Sequence, residues 1–178
     1  MIKVVAFDLF GTVFDPQSVH ERDREIYIHA LKHWRTHRQY IPLHPVSIDS
    51  FTRMQPYPDA KQGIAWLREM KFKVVAASNI HSLVTDSASF IQNIRWDGIM
   101  PYERMEIYKP DLAAYAAICD AAKCLPSEVL FVTGNHGPHS IGDDTEPLKI
   151  GMQTAKIRRD SPIQTIIDLA ATLQPTGE

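Results

Sequence analysis

The chain is short of the features that mark specialised architectures. It has two cysteines in 178 residues. Cys119 and Cys124 are too few for a disulfide framework, and their spacing fits no common metal motif. No apolar run approaches the roughly 20 residues that a membrane helix needs. Nineteen Lys and Arg against 21 Asp and Glu leave a net charge of −2, so no basic field points to nucleic acid. Repeats and low-complexity tracts are missing. Met1 to Asp8 lacks the small-residue cleavage site of a secretory leader, and with so little cysteine the expected setting is reduced and cytoplasmic. What remains is an ordinary globular composition, 44% hydrophobic and 22% charged. At this length folding buries roughly 70% of the unfolded surface, enough for one core without staples.

Residues 2–8 are almost uninterrupted apolar and β-branched, as are 72–77 and 129–133. Continuous runs of this kind read as strands buried on both faces of a parallel sheet. Weaker candidates are 98–100 and 153–157. Between them the spacing turns helical. Pro58-Asp59 opens a stretch with Ile64, Leu67 and Met70. Pro110 takes the place of a first helical residue before Leu112, Tyr115, Ala116 and Cys119. Ser161-Pro162 precedes a stripe of Ile163, Ile166, Ile167, Ala170 and Leu173. Alternating strands and helices predict an α/β fold with a doubly wound, mainly parallel, Rossmann-like sheet. One segment breaks the alternation: a helix expected over 18–39, followed by the Pro-rich Ile41–Pro45. The expected division is therefore a core of 1–15 and 57–178, with 16–56 as a small helical cap over the carboxyl ends of the strands, where such sheets bind ligands.

The candidate chemistry lies at those ends. Asp8 closes the first strand before Gly11-Thr12, where freed backbone N–H groups can make a carboxylate a nucleophile. Taken alone it reads more readily as a turn aspartate that caps its own loop. Ser78-Asn79 ends the second strand. Lys109 precedes a helix, and within about 4–6 Å it would hold Asp8 ionised. Thr133-Gly134-Asn135 ends another strand, with Asp143-Asp144 beyond.

This constellation resembles the haloacid dehalogenase (HAD) superfamily. Phe7-Asp8-Leu9-Phe10-Gly11-Thr12-Val13-Phe14-Asp15 is similar to its first motif, Ser78 to the second, Lys109 to the third, and the Thr133–Asp144 loop to the fourth. The likeness covers 1–15 and 57–173. It implies that Asp8 is the nucleophile, with Thr12 ordering its loop and Lys109 and Asn135 positioning it and the water. Phosphatases of the superfamily carry a general acid two residues after the nucleophile, a function worth typically 10²–10⁴-fold. Phe10 stands there and cannot donate a proton. A halide leaves without one, and members resembling the 2-haloacid dehalogenases carry an aromatic residue at this point. Glu106–Asp111 with Tyr115 also resembles that subgroup. The resemblance implies that Ser78 and Asn79 hold a substrate carboxylate. It further makes Arg35, within Leu31-Lys32-His33-Trp34-Arg35, a halide acceptor, with Trp34 and Phe10 lining the substrate site.

Two departures stand out. Asn135 is followed three residues on by Pro138, where the dehalogenases have an aspartate, so Asp143 or Asp144 must supply the carboxylate if Gly137–Gly142 loops back. The cap is also short, and a homodimer is expected if it exposes apolar surface. Three readings follow. The first is a hydrolytic 2-haloacid dehalogenase acting on a small halocarboxylate through an Asp8 ester, with no cofactor. The second is a phosphatase acting on a phosphate ester, with Mg²⁺ held by Asp8 and Asp143. The third is a small-anion-binding protein that has lost turnover. Neither nucleic acid nor membrane is an expected partner. His29, His33 and His37 share a helix face, and His136 and His139 lie near Asp143. The run from His29 to Gln39 holds no acid and reads mainly as a cationic face that attracts anions.

Overall fold

The computed structural model describes residues 1–37, 45–134, 142–159 and 165–174; the side chains of residues 31, 34, 35 and 45–47 lie outside that description. Five parallel strands form one sheet: β1 (Val4–Phe7), β2 (Lys73–Ala76), β3 (Gly98–Ile99), β4 (Val129–Gly134) and β5 (Gln153–Ile157), in the order β3-β2-β1-β4-β5. β1 is central, with Phe7 opposite Ala76 on one side and Val132 on the other. Successive strand side chains point to opposite faces, and this divides the core in two. Val5, Phe7, Val74, Ala76, Leu130 and Val132 belong to one cluster; Val4, Ala6, Val75, Ala77, Val129 and Phe131 belong to the other. Apolar residues at every strand position are what a sheet covered on both faces requires.

The first cluster is closed by α3 (Ala60–Glu69), α4 (Ser82–Ile91) and α8 (Ile166–Thr172), the second by α5 (Tyr102–Met105) and α6 (Leu112–Ala122). A short α7 (Glu146–Lys149) leads into β5. α3 buries Ala60, Gly63, Ile64 and Leu67, the i, i+3, i+4, i+7 face of an amphipathic helix. The fold is the doubly wound α/β architecture that the apolar runs predict.

Helix starts differ from expectation in two places. Pro110 is not the first helical residue: Asp111 has the extended backbone of an N-cap (φ −64°, ψ 137°), so α6 begins at Leu112. The Lys109–Pro110 peptide is cis. Ser161-Pro162 and Ile163 lie outside the described residues, and α8 starts at Ile166 on a capping box in which the Thr165 side chain accepts from the Asp168 N–H and Asp168 accepts in return. Such a box satisfies orphan N–H groups of the first turn and sets where a helix can begin.

The 16–56 segment contains α1 (Glu21–His37) and α2 (Pro45–Thr52). It leaves and rejoins the rest of the chain at one point: Asp15 N–H donates to the Gln55 carbonyl and Tyr57 N–H to the Val13 carbonyl, both at 2.9 Å. Val19, Tyr27, Phe51 and Met54 are buried in the first cluster. None of the large apolar side chains exposed among the described residues lies in this segment.

Candidate active site

Asp8 follows β1 directly and extends its ladder, its N–H donating to the Val132 carbonyl at 2.9 Å. The chain then turns sharply, the Leu9 carbonyl accepting from the N–H groups of Thr12, Val13 and Phe14. Gly11 supplies the left-handed φ of 85° this turn needs. β4 presses on the turn from the side: a Cβ on Gly134 would overlap the Gly11 carbonyl. That approach lets the Gly134 N–H donate to Thr12 Oγ1 at 2.6 Å, and Thr12 Oγ1 in turn donates to Asp8 Oδ2 at 3.0 Å.

Asp8 is 6% exposed, Lys109 4% and Asp143 2%. Lys109 Nζ donates to Asp8 Oδ1 and to Asp143 Oδ2, both at 2.7 Å, and lies 5.1 Å from the Phe131 ring centroid. Tyr115 O–H donates to Asp143 Oδ1 at 2.6 Å. Every oxygen of the two carboxylates thus accepts a hydrogen bond. Burial pulls the Lys109 ammonium down, but Asp143 and Asp8 together outweigh it and hold it above its ordinary value. Burial pushes the Asp143 carboxyl up, reinforced by Asp8 and opposed by Lys109 and Tyr115. Tyr115 is pushed far up, by burial first and then by the charge of Asp143.

Asp143 arrives by way of Gly142, whose φ is 91° and where a Cβ would sit 2.8 Å from Pro110 Cβ. A side chain there would collide with the residue next to Lys109. Asp144 instead points outward, 3.3 Å from Lys156 Nζ.

The remaining expected residues fall as follows. Ser78 is buried, its Oγ accepting the Ile80 N–H at 3.1 Å. The expectation that the Asn79 side chain holds a ligand meets a competing engagement. Its Nδ2 donates to the Lys109 carbonyl and its Oδ1 accepts the Lys109 N–H, each at 2.9 Å, so the amide clamps the Lys109 backbone. Phe10 is 2% exposed and packs against the inserted segment, its ring 5.2 Å from Tyr27 and 5.7 Å from Phe51. Asn135, His136 and His139 lie outside the described residues, as do the side chains of Trp34 and Arg35. His33 and His37 rings are 4.5 Å apart, but among the described residues no three His, Cys, Asp or Glu side chains converge to hold a metal.

Sequence reasoning used Tyr115 as a motif marker without giving it a place in the site. The signal was there: a lone tyrosine in an Ala-rich helix, six residues after Lys109. Thr133, named above as part of the fourth-motif loop, is fully buried at the end of β4, and among the described residues its hydroxyl has no partner.

No protein-family model matches the chain. Over 76% of its length it is 25% identical to the (S)-2-haloacid dehalogenase of Xanthobacter autotrophicus, 68% of which is covered. The solved structure of L-2-haloacid dehalogenase from that organism, with chloropropionic acid covalently bound, has a TM-score of 0.72 at 23% identity, covering 91% of this chain and 80% of that one. A HAD phosphatase from Thermococcus onnurineus has a TM-score of 0.66 at 15% identity, covering 98% and 100%. The chain thus has the α/β architecture of these proteins, with an aspartate closing the middle strand and a lysine on it. Phosphatases and dehalogenases share that architecture. Within it, the subgroup this chain resembles in sequence is that of the 2-haloacid dehalogenases.

Proposed function

We propose that the chain is a hydrolase that removes halide from a small 2-halocarboxylate. The observation that carries this reading is the pairing of a fully gripped Asp8 with Phe10, whose ring is packed against Tyr27 and Phe51 where an acid would have to stand. A leaving alkoxide needs a proton, and a halide does not. One Asp8 oxygen attacks the halogen-bearing carbon, the carbon–halogen bond breaks with its electron pair, and an ester forms. Water then adds to the ester carbonyl, giving its proton to Asp143. The bond from the Asp8 carbonyl carbon to the ester oxygen breaks, the 2-hydroxy acid leaves with that proton, and Asp8, regenerated as the acid, releases the water's second proton to solvent.

Lys109 donates to one Asp8 oxygen, and Thr12, donating to the other, fixes its orientation. Ser78, with the backbone at Asn79, would bind the substrate carboxylate. Arg35 and Trp34 at the halide, and Asn135 at the water, rest on sequence likeness. The 16–56 segment would act as the cap, and a cytoplasmic setting rests on the low cysteine content alone.

The donor set does not fit Mg²⁺. Lys109 Nζ already occupies the point where Asp8 and Asp143 converge, their other oxygens accept from Thr12 and Tyr115, and Asp144 turns to Lys156. The phosphatase reading therefore keeps the fold but meets Phe10 in place of its acid and Lys109 between its two carboxylates. The turnover-deficient reading leaned on a missing fourth-motif carboxylate, which Asp143 can supply.

Single turnover of (S)-2-chloropropionate in heavy-oxygen water, followed by mass spectrometry of the Asp8 peptide, tests the scheme. Label in an Asp8 carboxylate oxygen is expected. Turnover without label there rejects the ester.

A further inference from the structure

Arg159 is a buried cation that the reaction scheme leaves unused. It lies two residues beyond β5, and its side chain is 5% exposed. Nε donates to the Thr12 carbonyl at 2.9 Å, and Nη2 donates to the same oxygen. Nη1 is 2.6 Å from Asp59 Oδ1, and the guanidinium carbon sits 4.2 Å from the Tyr57 ring centroid. The other Asp59 oxygen accepts the Ile166 N–H at 2.7 Å.

One carboxylate is enough to neutralise a buried guanidinium. Directing two donors at a single carbonyl of the nucleophile turn serves a different end, and it uses the planar fork that distinguishes arginine from lysine. The turn is therefore held from two strand ends. β4 grips the Thr12 hydroxyl through Gly134, and the residues after β5 grip the Thr12 carbonyl through Arg159. The hydroxyl so held is the group that orients Asp8. Tyr57 and Asp59 belong to the stretch where the 16–56 segment rejoins the chain, and Tyr57 N–H donates to the Val13 carbonyl.

We propose that Arg159 is a positioning residue for the reaction: it locks the Thr12 peptide so that Asp8 is held in its attacking orientation. The proposal deepens the reading of Asp8 as nucleophile and rests on it.

Two variants of the full chain separate positioning from bulk stability. Arg159→Lys keeps a cation beside Asp59 but loses the fork on Thr12. Asp59→Asn removes the ion pair and leaves the fork. With (S)-2-chloropropionate, Arg159→Lys should lower kcat about 10- to 100-fold, the scale of a small misplacement of a reacting group, with KM changed less than about threefold. Asp59→Asn should lower the thermal midpoint at least as much while kcat stays within about threefold of wild type. In parallel, amide hydrogen exchange of residues 9–14 should accelerate about tenfold in Arg159→Lys and remain slow in Asp59→Asn. Loss of kcat that simply follows loss of thermal midpoint in both variants, or unchanged kcat in Arg159→Lys, overturns the proposal. A wild-type chain inert towards every haloacid would instead reject the proposed function. The exchange arm then judges Arg159 alone: unchanged protection of 9–14 in Arg159→Lys refutes the lock, and selective loss there upholds it.

Discussion

At the carboxyl edge of the sheet, Lys109, Asp143 and Tyr115 join Asp8 in hydrogen bonds of 2.6–2.7 Å. Two residues from Asp8, Phe10 meets Tyr27 and Phe51 ring to ring at 5.2 and 5.7 Å. Both regions are buried, yet they are held differently. The polar half is directional, with a hydrogen bond joining residues 101 positions apart, and each donor has an assigned acceptor. In that half, removing one member leaves a charge without its counterpart in a low-dielectric site. The aromatic half gains mainly by area and contact, so losing one ring weakens it without stranding a charge. Two buried regions of similar exposure should therefore fail in different ways.

Lys109→Met is the sharpest way to expose the contrast. It should abolish turnover and cost about 3–5 kcal/mol, because two carboxylates remain buried without their cation. Asp143, whose carboxyl burial already raises above its ordinary value, then loses the cation that opposed that rise and is raised further. A group whose folded value is raised loses stability as pH rises through it. The variant's deficit should therefore grow between about pH 4 and pH 8 in denaturant titrations. A deficit that shrinks over that range would break the comparison.

Phe10→Ala should come next, at about 3 kcal/mol by the same titrations, with little dependence on pH. A pH-dependent loss there would mean that the aromatic half is not the passive one.

Tyr115→Phe should have the smallest effect, about 1–2 kcal/mol for a hydrogen bond to a charged acceptor. Burial already raises the Asp143 carboxyl, and Tyr115 opposes that rise by donating to the charged form. Removing the donor should move the acid limb of the kcat profile upward. A downward shift would contradict the assignment of Asp143 as the base.

Much of this was legible along the chain. Strands with no polar position announce a sheet covered on both sides, and an aspartate closing the first of them announces the site. α4 was harder to see, because Thr85 and Ser89 occupy buried positions where periodicity looks for apolar residues. Pro110 misled because a proline marks a helix start only when the following backbone is helical, and Asp111 is extended.

Local chemistry alone thus determined the class of fold and the nucleophile candidate, since strand burial and side-chain type are short-range properties; the missing acid at Phe10 came from the family resemblance. Whether Asp143 or Asp144 would reach Asp8 was decided only in three dimensions. A glycine at 142 lets the chain pass Pro110, and the two neighbouring aspartates then part, one inward to Lys109 and one outward to Lys156. The same holds for Arg159. Nothing near it in sequence reveals its partners, because Thr12 and Asp59 become its neighbours only when the sheet brings the end of β5 beside the turn that follows β1.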